Sequence, residues 1–159
     1  MSLNKKDKRD KLWTELESKI QKRAKKKDKK FVLSGKWKKL VRKQEGISIY
    51  SVDGEWVRNN LSVTFGHGGH GYVHEFIPLN EIWIDIYHSE GCECENVRNL
   101  QKVSKAFFES TLLHELVELK KMRKGMIYWK AHQIALNKEI ESGLLEDPHK
   151  EIKTPKDER

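Results

Sequence analysis

The second half of the chain carries the hydrophobic pattern of two helices. Apolar residues recur every three or four positions from residue 97 to residue 124, which predicts an amphipathic helix. Gly125 marks its end, because the residues before it are rich in lysine and arginine and such cations suit a helix C-terminus. A second helix is predicted over residues 128–142. The short connection predicts that the two helices pack against each other, antiparallel or at a steep angle.

The middle of the chain alternates apolar and polar residues, which is typical of strands. Residues 47–52 alternate in this way and then meet Asp53-Gly54, a strong signal for a hairpin turn. Further strands are predicted at residues 56–57, 61–65, 72–77 and 81–87. The sequence therefore predicts an α+β fold, in which a small antiparallel sheet packs on the two helices.

The N-terminal segment differs from the rest in charge. The chain has 159 residues and a formal net charge of +8, and residues 1–45 alone contain 18 Lys and Arg against 6 Asp and Glu. We therefore divide the chain into a basic, partly helical arm (1–45), an α+β body (46–145) and a flexible tail (146–159). The predicted helix of the arm carries a narrow apolar stripe, formed by Leu12, Trp13, Leu16 and Ile20.

Two interpretations of the arm remain open. Its lysines can neutralise the phosphates of a nucleic acid and release counterions, and Trp13 or Trp37 can stack on bases. Alternatively, the arm is a solvated helix whose apolar stripe docks on the body. Lysine runs without an accompanying recognition motif do not decide between the two.

Composition also limits the class of protein. No apolar run approaches the roughly 18 residues that a membrane span needs, and no N-terminal stretch resembles a secretory signal. Cys92 and Cys94 are too few for a disulfide framework, and we interpret them as free surface thiols. A reducing, cytoplasmic location and the absence of a membrane partner are expected.

The first predicted helix contains an unusual pair, His114 and Glu118. At 100° per residue the two side chains lie about 40° apart, on the face that also carries Leu100, Val103 and Phe107. We expect this face to point into the core. A carboxylate placed there is costly unless it is paired, and a metal ion held by an imidazole and a carboxylate one turn apart removes that cost.

The second predicted helix adds another histidine to the same region. His132 lies in a stripe with Tyr128, Ala131, Ala135, Leu136 and Glu139. If His132 faces His114 and Glu118, two imidazoles and one carboxylate form a tetrahedral zinc site with an open fourth position for water. Glu139, two turns further along, is a candidate partner of a ligand or an alternative ligand.

Two more residues are candidates for catalysis. Glu115 follows His114 directly and can act as the general base on a metal-bound water. His70 lies in a loop, residues 66–71, in which four glycines allow close approach of the backbone. We interpret His70 as a fourth ligand or as a hydrogen-bond donor to a reacting oxygen. The alternative is a hairpin loop that carries two exposed histidines, His67 and His70.

A purely structural interpretation of the helices also stays open. Glu118 can pair with Lys121 or Arg123, and a single histidine on an apolar face is usually a hydrogen-bonded core residue. Two such histidines on adjacent helices, together with a carboxylate in phase and the histidine loop, favour a metal site.

The segment His114-Glu115-Leu116-Val117-Glu118 resembles the zincin metallopeptidases, whose active helix carries His-Glu-x-x-His. It also looks like small zincin-like proteins of microbes and viruses. The resemblance implies His114 as a zinc ligand and Glu115 as the base, with Glu118 in place of the second histidine and His132 supplying the missing imidazole. It also implies a sheet whose edge strand lies beside the active helix, and residues 81–87 are the candidate for that strand.

Three functional hypotheses follow from the sequence. The first is a zinc-dependent hydrolase that cleaves a peptide or protein substrate, with His114, Glu118 and His132 as ligands and Glu115 and His70 in catalysis. The second is a nucleic-acid-binding protein that uses the arm, with the body as a scaffold. The third is an inactive relic of a peptidase fold that acts as an interaction protein.

Overall fold

A computed structural model describes residues 36–88 and 102–145 of the chain, together with five positions of the arm. Those five positions, which are helical, are Glu15, Leu16, Ser18, Lys19 and Lys22. Of the predicted apolar stripe only Leu16 is described, and it is 43% exposed. The rest of the stripe, both cysteines and the tail lie outside the described residues. The interaction of the arm with nucleic acid stays a prediction.

Four strands form one sheet, and two long helices pack on it. The strands are β1 (Lys38–Gln44), β2 (Ile47–Val52), β3 (Gly68–His70) and β4 (Glu81–Asp85). Within residues 36–88 and 102–145 the helices are α1 (Gly54–Asn60), α2 (Lys105–Arg123) and α3 (Tyr128–Ser142). The order of strands across the sheet is β1-β2-β4-β3. The α+β class and the packing of sheet on helices, both predicted from the sequence, are confirmed.

The sheet is mixed, whereas the sequence predicted an antiparallel sheet. Strand β1 pairs with β2 and β3 pairs with β4 in antiparallel fashion, but β2 and β4 run parallel. The chain leaves β2 through α1, returns as the edge strand β3, and only then enters the sheet centre as β4. Parallel neighbours need such a crossover, which local alternation of residues does not reveal. Strand β4 is therefore central, and β3 is the edge strand beside α2.

A helix replaces the hairpin turn predicted at Asp53-Gly54. The Asp53 side chain accepts a hydrogen bond from the backbone N–H of Trp56 at 3.2 Å, which caps the first turn of α1. Trp56 and Val57 consequently lie in a helix, and residues 61–65 are irregular. The strand predicted at 72–77 is also wrong, since the backbone N–H groups of Val73 and His74 turn back to the carbonyl of His70.

Strand β1 consists of residues that the charge pattern had grouped with the basic arm. All but one of its seven residues are partnered in the register with β2, from Lys38 opposite Val52 to Gln44 opposite Ile47. Trp37, just before it, is buried and stacks on Trp56 with ring centroids 4.4 Å apart. The sheet thus begins inside the range assigned to the arm. The charge pattern did not separate β1 from the arm because β1 is an exposed outer strand that carries lysines.

One face of α2 forms the main hydrophobic core. Its buried apolar residues are Leu112, Leu116, Leu119 and Met122, which pack against Ile47, Ile49, Ile82 and Ile84 of the sheet. The opposite face of the sheet carries a second cluster, which includes Trp37, Val57, Phe65 and Trp83. Strand β4 serves both clusters because successive side chains of a strand point to opposite faces. The position of α2 over the sheet is thereby fixed by apolar packing.

None of the helices in the described part of the chain is both long enough and apolar enough to cross a membrane.

Candidate metal centre

Three side chains from α2 and α3 converge on one point. Nε2 of His114 lies 3.0 Å from Oε2 of Glu118 and 3.1 Å from Nδ1 of His132, and that Nδ1 lies 2.9 Å from the same carboxylate oxygen. All three residues are buried. The convergence of His114, Glu118 and His132 predicted from helical spacing is therefore present. These three residues can hold a metal ion.

The spacing and chemistry of these donors fit such an ion. Ligand atoms bound to one tetrahedral zinc ion, each about 2.0–2.1 Å from it, lie about 3.3 Å from one another. The three separations, 2.9 to 3.1 Å, are within a few tenths of an ångström of this value. Two ring nitrogens as close as those of His114 and His132 need a cation or a proton between them, because a lone pair on each would repel.

The sequence predicted that the face of α2 carrying His114 and Glu118 points into the hydrophobic core, but it does not. Phe107, on the same face, is half-buried and lines a cavity of about 590 Å³ together with His114 and Glu118. Val103 precedes the helix, and Leu100 lies outside the described residues. The expectation failed because the stripe that packs on the sheet is Leu112, Leu116, Leu119 and Met122, on the other side of α2, and because the helix begins only at Lys105, after the Ser104 cap.

Glu139 orients the ring of His114. Its Oε2 accepts a hydrogen bond from Nδ1 of His114 at 2.8 Å, and its Oε1 accepts one from the Ser110 hydroxyl at 3.1 Å. The bond places a proton on Nδ1 and leaves Nε2 directed at the centre, which is the arrangement found around histidines that bind metals. Of the two roles left open for Glu139, the geometry corresponds to that of a ligand's partner.

His70 reaches the centre from the sheet. It lies at the end of β3 and is fully buried, and its Nε2 lies 2.9 Å from Oε1 of Glu118. Its Nδ1 accepts the backbone N–H of Tyr72 at 3.3 Å, so Nε2 carries the proton in the neutral ring. The histidine loop is therefore no exposed hairpin. Its residues 68–70 form the edge strand that delivers His70 to the helices.

Glu115 lines the cavity between β3 and α2. Its Oε2 lies 4.0 Å from Nε2 of His70. Gly68 of β3 packs so closely on it that an added Cβ would lie 3.1 Å from Cγ of Glu115 and 3.0 Å from Cγ2 of Thr111. Burial, reinforced by the charge of Glu118, raises the pKa of Glu115 to about 7. Such a carboxyl exchanges its proton near neutral pH.

In the metal-free protein, hydrogen bonds between the histidines and the carboxylates hold the centre together. Burial alone would lower the pKa of His114, but hydrogen bonds to Glu118 and Glu139 raise that pKa to about 11. Burial opposes ionisation of Glu118, yet hydrogen bonds from His114, His132 and His70 hold its pKa well below the usual range. The structural alternative, a pairing of Glu118 with Lys121 or Arg123, is not seen among the described residues: Glu118 contacts three histidines, and Arg123 donates to Asn80 at 3.3 Å.

Tyr128 was not singled out by sequence reasoning as a site residue. It precedes His132 by one helical turn and stacks on its ring, with centroids 5.0 Å apart. Its hydroxyl lies 3.3 Å from Nδ1 of His132 and faces the cavity. The signal was the i, i+4 spacing to His132, which had been interpreted only as part of an apolar stripe. His67 and His74 also line the cavity.

Comparison with known proteins does not assign the chain to a family. No family model matches it, and no similar protein is found among curated proteins or solved structures.

Proposed function

We propose that this protein is a zinc-dependent hydrolase of the zincin type that cleaves peptide bonds. The observation that carries the proposal is the convergence of His114, Glu118 and His132 within 3.1 Å of one another, at the wall of a cavity that Glu115 also lines. A buried set of two imidazoles and one carboxylate suits zinc, and a cavity beside it leaves a coordination position for water or substrate.

The ligand roles follow from the hydrogen bonds around each side chain. His114 would bind through Nε2, because its Nδ1 keeps a proton that it donates in a hydrogen bond to Glu139. His132 would bind through Nδ1 and Glu118 through Oε2, the two atoms that face Nε2 of His114. Zinc, when bound, lowers the pKa of a water ligand and polarises the scissile carbonyl.

Glu115 and His70 supply the remaining chemistry. The Glu115 carboxylate accepts the proton of the attacking water and later passes it to the leaving amine, a role that suits a pKa near neutrality. His70 carries its proton on Nε2, where it is hydrogen-bonded to Oε1 of Glu118, and it would redirect that proton to the oxyanion of the substrate during the reaction.

A peptide substrate is supported by the position of β3. This strand is at the edge of the sheet, and Gly68 and Gly69 line the cavity beside Glu115. An extended peptide can add to such an edge through backbone hydrogen bonds, which would bring its carbonyl groups alongside the centre. The lack of a side chain at Gly68 lets β3 lie close against Thr111 and Glu115 of α2, which keeps the edge beside the centre.

Hydrolysis by zinc-loaded protein of a mixed peptide library tests the proposal. Glu115→Gln should retain one zinc ion but lower turnover by about 10²- to 10⁴-fold, since it removes the base alone. His114→Ala should lose both zinc and activity. Glu109→Gln is the matched control, because Glu109 is on the same helix but pairs with Arg42. Unchanged turnover in the Glu115 variant would overturn the mechanism.

A further inference from the structure

The two carboxylate oxygens of Glu118 belong to different groups of metal-binding side chains. Oε2 contacts Nε2 of His114 and Nδ1 of His132. Oε1 lies 2.9 Å from Nε2 of His70, on the other side of the carboxylate. His70, Glu115 and Glu118 form a second buried group, whose ligand atoms lie within 4.8 Å of one another. One residue thus joins two sets of three donors.

We propose that the centre has two cation positions bridged by Glu118. The first is formed by His114, His132 and Oε2 of Glu118. The second is formed by His70, Glu115 and Oε1 of Glu118, and it takes a second divalent cation more weakly than the first. Carboxylates commonly bridge paired metal ions in hydrolases, where the ions lie about 3.5–4 Å apart.

The charge of the cavity supports a second cation. Three buried carboxyl groups line it, those of Glu115, Glu118 and Glu139. Among the described residues that form its wall there is no lysine or arginine. One divalent cation at the first position can balance two of the three carboxylates, and buried charges are costly unless they are compensated. Glu115, a ligand only in the second group, is charged when it is ionised, and a second cation would balance that charge.

The donor sets of the two positions differ, and this predicts their order of filling. The first offers two imidazoles and one carboxylate, which suit zinc. The second offers one imidazole and two carboxylates, a harder set that suits Mn²⁺ and binds zinc less tightly. Nε2 of His70 faces the second position, but a cation bound there would move the ring proton to Nδ1 and break the 3.3 Å bond from the Tyr72 N–H, a further reason for weaker binding.

Filling of the second position has a consequence that rests on the proposed function. A cation bound there would occupy the lone pair of Glu115 and the Nε2 of His70. The same atoms serve as general base and hydrogen-bond donor during hydrolysis. A second equivalent of zinc should therefore inhibit the enzyme that the first equivalent activates. The existence of two positions does not depend on the activity.

Counting bound ions tests the two positions directly. Metal-free full-length protein is dialysed against rising concentrations of Zn²⁺ or Mn²⁺, and bound metal is measured by elemental analysis. We expect two ions per chain, the second at least about tenfold weaker than the first. The electron paramagnetic resonance spectrum of protein loaded with Mn²⁺ should show a spin-coupled pair. Saturation at a single ion in millimolar excess of both metals would overturn the inference.

Variants assign the positions to residues. Glu115→Gln and His70→Gln should each weaken the second ion by at least about tenfold while the first remains. His67→Gln is the control, because His67 lines the same cavity but belongs to neither group. If His70→Gln does not fold, Glu115→Gln carries the same test. Two ions bound by both variants as tightly as by the parent protein would overturn the assignment.

The activity measurement separates this inference from the proposed function. Hydrolysis should rise to the first equivalent of zinc and fall as the second binds, and Glu115→Gln should lose the second ion whether or not activity is measured. If two ions bind but no peptide is cleaved at any zinc level, the two positions stand and the proposed function fails. If peptide is cleaved and only one ion binds, the proposed function stands and the second cation position fails.

Discussion

Glu139 accepts a hydrogen bond from Nδ1 of His114 at 2.8 Å, across the interface between α3 and α2. The bond fixes which nitrogen of His114 faces His132, and the Ser110 hydroxyl holds the other oxygen of the same carboxylate. A contact between the two helices therefore also orients the candidate ligand. A residue that lies outside the group of donors thus controls its geometry.

Removing this contact should weaken metal binding without removing a ligand. We expect Glu139→Gln to lower zinc affinity by about 10- to 100-fold, because an amide holds the ring of His114 less firmly and no longer raises its basicity. Competition with a chromophoric chelator measures the change. Glu141→Gln is the matched control, since Glu141 lies on the exposed side of α3 and pairs with Lys138. Equal zinc affinity in the two variants would contradict the role given to Glu139.

A methyl group on β3 should disturb the base and spare the metal. Gly68→Ala would place a Cβ 3.1 Å from Cγ of Glu115, so that side chain must shift by a few tenths of an ångström. Misplacement of a catalytic group on this scale lowers turnover, and we expect a loss of about tenfold or more with bound zinc unchanged. Gly66→Ala has open space around its new Cβ and serves as control. Equal turnover of the two variants would show that Glu115 is not positioned by β3.

Stability of the metal-free protein should fall as the pH rises. Hydrogen bonds to Glu118 and Glu139, against the opposing effect of burial, raise the pKa of folded His114 from 6.5 to about 11. Burial raises the pKa of Glu115 from 4.5 to about 7. Between its unfolded and its folded pKa, each group holds a proton in the folded protein that the unfolded chain has released. Their contribution is complete below the unfolded values and is lost as the pH rises through the folded ones, by about 1.4 kcal/mol per pH unit for each proton that differs.

Denaturant unfolding in the presence of a chelator, from about pH 6 to about pH 9, measures this slope. Zinc-loaded protein should show a smaller slope, because the ion takes the place of the proton on Nε2 of His114. His114→Gln should also flatten the profile of the metal-free protein. A metal-free stability that stays constant or increases over this range would contradict the proton-bound description of the centre.

The sequence predicted the site better than the sheet, and the reason lies in the range of the contacts involved. His114 and Glu118 are one turn apart, and His132 follows after a short connection, so helical spacing alone brings the three together. Helix α3 occupies residues 128–142 as predicted, and its end is set by Gly143 in the left-handed conformation, φ 66°. Local rules therefore sufficed for these residues.

The sheet depends on partners that are distant in sequence. Gly68–His70 form a strand only because β4 offers them a pairing edge, and a run of glycine and histidine has no intrinsic preference for strands. Trp56 and Val57 do favour strands, yet the Asp53 cap and burial of Val57 against the sheet place them in a helix. The sequence could therefore suggest a role for His70 at the centre, but it could not show that a strand places this residue beside Glu118.

Core substitutions on α2 should separate stability from metal binding. Leu119 is fully buried against the sheet, and Leu119→Ala should lower the free energy of unfolding by about 2–5 kcal/mol. Bound zinc per folded chain should stay the same, because Leu119 belongs to the face that packs on the sheet. Ile140→Ala, at a position that is 53% exposed, is the control and should change stability far less. Loss of zinc from folded Leu119→Ala protein would show that the two faces are coupled.

One side of helix α2 is apolar and packs on the sheet, and the other side carries ionisable residues that line the cavity. The anchoring side consists of leucines and a methionine, which repack readily when exchanged for one another. New chemistry could therefore be engineered on the opposite side by altering Glu115 or Thr111 while the scaffold keeps its shape. The molecule offers a starting point for the design of small metal-binding proteins.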